Sequence, residues 1–272
     1  GHVLLFHPAV KKIKKMIDKG EIGELQYLYS NRLNLGKVRT EENVFWSFAP
    51  HDIAIFQYLT DSIPIKLNAN GSTFLQKGIP DSTMTQLEYE NGVKGHIFVS
   101  WLHPFKEHRL VVIGSEAMIS FEDSLDEKPL KLYSKKINLK SGIPEKIDGP
   151  VKVIPYENKM PLDIELEYFI NHLSSVKPKI SDIRYGYEIV KILVNASQQI
   201  LKWVKSKKIT FLGVTFKANT DDMRDSSSLK LIPFLSKKGA KIKYYDPTGS
   251  KKEFKKLKNV EFSNSIKESI KG

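Results

Sequence analysis

Along the first 200 residues the apolar positions change period several times, and each change marks an element. Residues 3–6 form a short apolar run that reads as a buried strand. Pro8 opens a helical stripe of Val10, Ile13, Met16 and Ile17, which Gly20 closes. Residues 25–35 alternate, Leu25, Tyr27 and Tyr29 against Gln26, Leu28 and Ser30, as a strand does. A polar loop, 36–43, leads into NVFWSFAPHDIAIFQYL at 43–59. There Ala54, Phe56, Tyr58 and Leu59 follow His51-Asp52 at helical spacing, and Pro50 suits a first helical turn.

Five alternating segments come next, at 65–74, 82–89, 94–102, 108–113 and 117–121, divided by Gly, Pro, Asn-Gly and Gly-Ser turns. Asn91-Gly92 is the clearest hairpin signal. Thr83, Thr85, Leu87 and Tyr89 alternate with Met84, Gln86 and Glu88, which predicts one covered and one wetter face. Residues 123–158 read as an edge hairpin or a loop. Two amphipathic helices follow, with stripes of Leu162, Leu166, Phe169, Ile170 and Leu173, then of Ile189, Ile192, Leu193, Ala196, Ile200 and Trp203. Asp182 is positioned to cap the second.

At Ser206-Lys207-Lys208 the pattern changes type. A short apolar strand at 209–212 ends on Gly213, a helix at 226–238 stops at Gly239, and a second strand at 242–245 closes on Asp246-Pro247. The expected fold is therefore an α+β antiparallel sheet backed by helices over 1–205, followed by a partial α/β parallel-sheet, Rossmann-like domain over 207–272. The chain opens on Gly rather than Met and stops where an alternating fold would next need a strand, so both ends read as cut.

Composition narrows the possibilities. The net charge of +12 resides mainly in the last 66 residues, where 16 Lys and Arg face 7 Asp and Glu. Nearly all of it is lysine; the arginines are Arg32, Arg39, Arg109, Arg184 and Arg224. Base reading leans on Arg and on interleaved aromatics, so scattered lysine pairs read as solvated faces and no nucleic-acid partner is expected. Cysteine is absent, which excludes disulfides, zinc-thiolate sites and a cysteine nucleophile, and a cytoplasmic setting is expected. No apolar run approaches the length of a membrane span, so no membrane partner is expected. His96, His103, His108 and His172 follow no metal-ligand spacing, and no metal is expected.

Candidate chemistry centres on His51. Ser47 lies four residues before it and shares its face if the turn is helical. An imidazole on the rim of a packed helix is a proton acceptor near neutral pH, while the plainer reading has His51 and Asp52 satisfying a helix start. Arg32 and Arg39 flank the loop before this helix and could meet phosphate or be surface charges. His7 sits at a strand-helix junction, and Asn43 caps the helix or touches sugar. Trp46, Trp101 and Trp203 are most simply core.

Several short motifs carry a resemblance. Phe6-His7-Pro8-Ala9, Gly20-Glu21-Ile22-Gly23, Leu35-Gly36-Lys37-Val38-Arg39, Asn43-Val44-Phe45-Trp46, Ala49-Pro50-His51-Asp52-Ile53, Ser100-Trp101-Leu102 and Tyr185-Gly186-Tyr187 together make residues 1–205 resemble the substrate domain of the glucose-fructose oxidoreductase/inositol dehydrogenase family. The pattern is closest to members that oxidise sugars carried on a nucleotide diphosphate. The resemblance implies that His51 moves the hydroxyl proton while hydride leaves for NAD or NADP, and that the exposed sheet face pairs subunits into a homo-oligomer. The family has an Asp where this chain has Ser47, and its lysine and cofactor domain precede the part matched here. No Gly-x-Gly-x-x-Gly occurs in the 272 residues.

FLGVTFKANTDDMRDSSSLKLIPFL, with Gly239-Ala240 and Tyr245-Asp246-Pro247, makes residues 207–272 resemble the nucleotide-binding C-terminal domain of UDP-glucose 6-dehydrogenase and its GDP-mannose relatives. That resemblance implies that Phe216 packs on a UDP-sugar and Lys217 supplies charge. It also implies that the loop 219–224, with Arg224, orders the site. Backbone N–H groups between a strand end and a helix start would suit a diphosphate, and Asp221, Asp222 and Asp225 could equally cap the next helix with Arg224 as counter-ion. The catalytic cysteine of that family has no counterpart. The leading expectation is an oxidoreductase-type chain with nucleotide-sugar dehydrogenase parts, binding substrate without its NAD domain and inactive alone. The alternative is a non-catalytic UDP-sugar-binding or assembly module.

Overall fold

The computed structural model describes residues 1–139, 142–173, 177–200, 208–217 and 220–270. Trp203, Ser206, Lys207 and Asn219, which figured in the expectations above, lie outside the described residues. The chain divides into two compact units, Gly1–Ile200 and Leu201–Gly272.

The first unit opens with a 3-10 turn, Val3–Phe6, where a strand was expected. Leu5 and Phe6 are buried all the same. Among the described residues no strand pairs with this run, and it satisfies itself with i to i+3 bonds. Helix α1 (Pro8–Asp18) follows with Pro8 in its first turn, buries Val10, Ile13 and Met16, and is left through Gly20 at φ 71°. Strand β1 (Leu25–Leu33) crosses the sheet centre.

Helix α2 (Val44–Thr60) starts two turns earlier than Pro50 suggested. Asn43 supplies the cap, its side-chain oxygen accepting the Trp46 N–H at 3.1 Å. Pro50 lies inside the helix, which tolerates the lost hydrogen bond because Val44, Phe45, Ala49, Ile53 and Phe56 are buried along its length. Each large side chain so buried contributes about 1.5–3 kcal/mol. Asp61 ends α2 in the left-handed region at φ 49°.

Strands β2 (Pro64–Ser72), β3 (Ser82–Tyr89), β4 (Lys94–Ser100), β5 (Glu107–Gly114) and β6 (Met118–Glu122) follow. Residues 123–158, expected as an edge hairpin or a loop, contain a hairpin, β7 (Leu130–Asn138) and β8 (Glu145–Val153), at the sheet edge. The order is β2-β3-β4-β1-β5-β6-β7-β8. The sheet is mixed rather than antiparallel, since β1 and β4 run parallel with Tyr29 opposite His96. Local alternation is blind to this, because β1 reaches β4 only through α2 and the β2–β3 meander. On β3, Thr83, Thr85, Leu87 and Tyr89 are buried, and Met84 and Gln86 are exposed.

Helix α4 (Ile183–Ile200) buries Ile189, Ile192, Leu193, Ala196 and Ile200 against the core, and the side chain of Asp182 accepts the Tyr185 N–H at 2.7 Å. Helix α3 (Pro161–Asn171) corrects an expectation. Its stripe of Leu162, Leu166, Phe169, Ile170 and Leu173 is exposed, and Ile164 and Tyr168 make the inward contacts. Periodicity reports that a face is apolar, not which way it points.

The second unit has β9 (Lys208–Leu212), α5 (Ser228–Lys237), β10 (Lys241–Tyr245), β11 (Val260–Phe262) and α6 (Ile266–Ile270). Its three strands are parallel in the order β11-β10-β9 around Val214, Ile232, Ala240, Ile242, Tyr244 and Phe254.

Candidate functional site

In the first unit α2 lies on the sheet and presents Ser47 and His51 four residues apart on one face. His51 Nδ1 is buried and has no hydrogen-bond partner among the described residues. Burial, then the Arg32 charge, hold its pKa below the usual histidine value, against a smaller opposing pull from Asp52. The ring is therefore neutral at pH 7. His2 is also lowered, chiefly by burial, and feels His51 as a neighbour.

Asp52 does not serve a helix start. Its side chain is 2% exposed and accepts from Ser30 Oγ at 2.6 Å and from Arg32 Nε and Nη2 at 3.0 Å each. Arg32, open to reading as a phosphate contact or a surface charge, projects from β1 and has its guanidinium engaged by a carboxylate inside the unit. Arg32 Nη1 also lies 3.3 Å from His108 Nδ1. Burial, then the Arg32 charge, push His108 down to about 4. His7, Ser30, Arg32, Asp52, His108 and Asp123 line a cavity of about 20 Å³, room for one water.

His7 is the N-cap of α1, its Nδ1 accepting the Ala9 N–H at 3.1 Å, with Nε2 4.0 Å from Asp123. Burial is the main reason its pKa is lowered. Asn43 is occupied as the α2 cap. Arg39 is exposed and pairs with Glu42 at 3.2 Å. Trp46, expected as core, is half-buried and donates its indole N–H to Ser197 at 2.7 Å.

In the second unit the segment after β9 carries Phe216, 52% exposed, with Lys217 Nζ 5.9 Å from its ring centre. Arg224 makes a bidentate pair with Asp222 at 3.0 and 2.9 Å, and its side chain is 90% exposed. The aspartates do not cap α5. The N-cap is Ser227, which makes no side-chain cap bond, and just before it Ser226 Oγ accepts the Ser228 N–H at 3.2 Å and donates to Val214 O at 2.6 Å. Three of the backbone amides expected to be open for a diphosphate are bonded within the protein. Val214 N–H goes to Asp246 at 2.8 Å, Phe216 N–H to Asp222 O at 2.9 Å and Arg224 N–H to Asp222 at 2.9 Å. Asp246 was visible in sequence only as the middle of Tyr-Asp-Pro. In the structure it is 2% exposed and binds Val214, Thr248 and Lys251. No group of three His, Asp or Glu able to hold a metal occurs among the described residues, nor any helix long and apolar enough to cross a membrane.

Comparisons with known proteins match two separate stretches of the chain. Residues 10–120 match the GFO/IDH/MocA C-terminal domain, and residues 210–272 match the UDP binding domain of the UDP-glucose/GDP-mannose dehydrogenase family. Each match covers less than half of the chain, so each stretch is similar to its family over those residues. UDP-glucose 6-dehydrogenase YwqF of Bacillus subtilis is 30% identical over 159 residues, covering 50% of this chain and 36% of the relative. A UDP-glucose 6-dehydrogenase of Rhizobium meliloti is 40% identical over 58 residues, 21% of this chain and 13% of the relative. Among solved structures, UDP-N-acetylglucosamine 3-dehydrogenase GnnA from Acidithiobacillus ferrooxidans superposes with a TM-score of 0.61 at 19% identity, covering 74% of this chain and 61% of that one. Levoglucosan dehydrogenase in complex with NADH and L-sorbose superposes at 0.58 and 16% identity, over 74% and 63%. At such identities these two report the fold alone. The chain spans about a third or less of the curated relatives' length named here.

Proposed function

We propose that the chain serves the oxidation of a sugar carried on UDP, with NAD or NADP as the hydride acceptor. The observation that carries this reading is a neutral, half-buried His51 in a GFO/IDH/MocA-type domain, on the same chain as a UDP binding domain. A neutral imidazole has the lone pair needed to take the proton of the hydroxyl being oxidised. Ser47 stands on the same face but, unlike a carboxylate, does not stabilise the imidazolium that forms. Lys217 supplies charge to the diphosphate and Phe216 an apolar surface. Arg39 and Arg224, both exposed, are the further cations of this reading, and His7 and Asn43 shape the first unit through their capping bonds.

NAD or NADP would supply the hydride acceptor. The turn after β9 does not fit its pyrophosphate: Gly213 is the one glycine there, and the Val214 and Phe216 amides are already bonded within the protein. No residue above is assigned to the dinucleotide. Calorimetry with UDP-glucose, UDP-N-acetylglucosamine and free glucose tests the reading. Uptake of the nucleotide sugars with glucose silent is expected, and no preference for the nucleotide would sink it. With it we propose a homo-oligomer through the uncovered sheet face, where Tyr29 stacks on His96 at 5.1 Å. Light scattering that returns a monomer would remove that part.

A further inference from the structure

Phe216 and Lys217 stand on a segment whose two ends are tied to one side chain's neighbourhood. At the near end Val214 N–H donates to Asp246 Oδ2 at 2.8 Å, after Gly213, at φ 78°, has donated its own N–H to Tyr245 O at 2.8 Å. At the far end Thr248 Oγ1 lies 3.3 Å from Thr220 O and 2.5 Å from Asp246 Oδ1. Between them Lys217 O accepts from the hydroxyls of Thr215 at 3.2 Å and Thr220 at 2.9 Å.

Asp246 thus gathers donors as a bound anion would, from Val214 N–H and Thr248 N–H, with Lys251 Nζ 3.4 Å away. The Lys251 and Asp246 side chains are 5% and 1% exposed, a charged pair withdrawn from water inside a small unit. Lys251 is held in turn, its N–H donating to Tyr244 Oη at 2.8 Å and its Nζ to Thr248. A pair so enclosed is weak evidence for stability, because desolvation offsets the attraction. What it does geometrically is plain: it joins the segment after β9 to the segment after β10, at the carboxyl ends of two parallel strands.

We propose that Asp246 and Lys251 are positioning residues for a nucleoside diphosphate, acting through the segment that carries Phe216 and Lys217. The inference rests on the reading of that segment as the UDP contact. Holding Val214, Lys217 and Thr220 in place before the ligand arrives removes an entropic cost from binding. The carboxyl of Asp246 is held at about 2 by its donors, against burial, so the tie is intact at any physiological pH.

The test is titration of the full chain with UDP, run as a double-mutant cycle. Asp246→Asn keeps the shape and discharges the carboxyl, and is expected to weaken UDP binding about tenfold. Lys217→Met is expected to weaken it comparably. In the Lys217→Met background Asp246→Asn should add no further loss, because both act through one contact. Additive losses, or an Asp246→Asn protein that binds as the unaltered chain does, would overturn the inference. An unaltered chain that takes up no UDP overturns the UDP reading as well, and that titration alone separates the two failures. Should Asp246→Asn lose the amide protection of β9 and β10, Asp246→Asn with Lys251→Met, which makes the buried pair neutral, carries the same expectation.

Discussion

Two arginine–aspartate pairs of the same chemistry sit in opposite surroundings. Arg32 and Asp52 are 12% and 2% exposed, and a strand and a helix are joined by their two parallel bonds. Arg224 and Asp222 make the same fork at 90% and 34% exposure, two residues apart in one loop. In water the second pair competes with hydration and its charges remain available to a ligand. The first has no such alternative, and each partner depends on the other. The motif that looks most like a binding site in sequence is thus the loose pair, and the structural one is nearly invisible.

The largest effect that would break this comparison is at Arg32. Arg32→Met leaves Asp52 buried without its counter-charge and is expected to cost about 3–5 kcal/mol by denaturant unfolding of the first unit, with much of the loss returned by adding Asp52→Leu. A loss under 1 kcal/mol would put the pair in the same class as the surface one.

Acid sharpens it next. His108 beside Arg32 titrates near 4, below the ordinary histidine value of about 6.5. Unfolding frees it to bind a proton, so stability is fully present above 6.5 and is lost as pH falls toward 4. His108→Gln should flatten that limb in melts followed against pH, and an unchanged limb would assign it elsewhere.

A neutral contact is expected to fall between the two. Ser197→Ala strands the half-buried Trp46 indole N–H and should cost about 1 kcal/mol. Smallest of all, Arg224→Ala should leave the melting temperature where it is while UDP affinity drops. A lowered melting point with unaltered affinity would reverse the roles given to the two arginines.

Elements were legible wherever burial and period coincide. The covered side of β3, the cap at Asp182 and the β9–α5–β10 order all follow from local spacing. The start of α2 was not, because Pro50 outweighed Asn43 as a signal although only Asn43 bonds an amide. The outward stripe of α3 escaped for a different reason, since a period fixes a face and leaves its direction to the partner. Arg32 with Asp52 could not be read at all: 20 residues separate them, and only the lie of α2 on β1 brings them together.

That lie has a consequence for the imidazole next door. Successive residues on a helix are turned by about 100°, so a carboxylate pinned inward to the sheet dictates the azimuth of whatever precedes it. His51, whose Nδ1 has no hydrogen-bond partner among the described residues, directly precedes the pinned Asp52. Cutting the strand-to-helix clamp would let the cylinder roll, and the ring would swing off target with none of its own atoms altered.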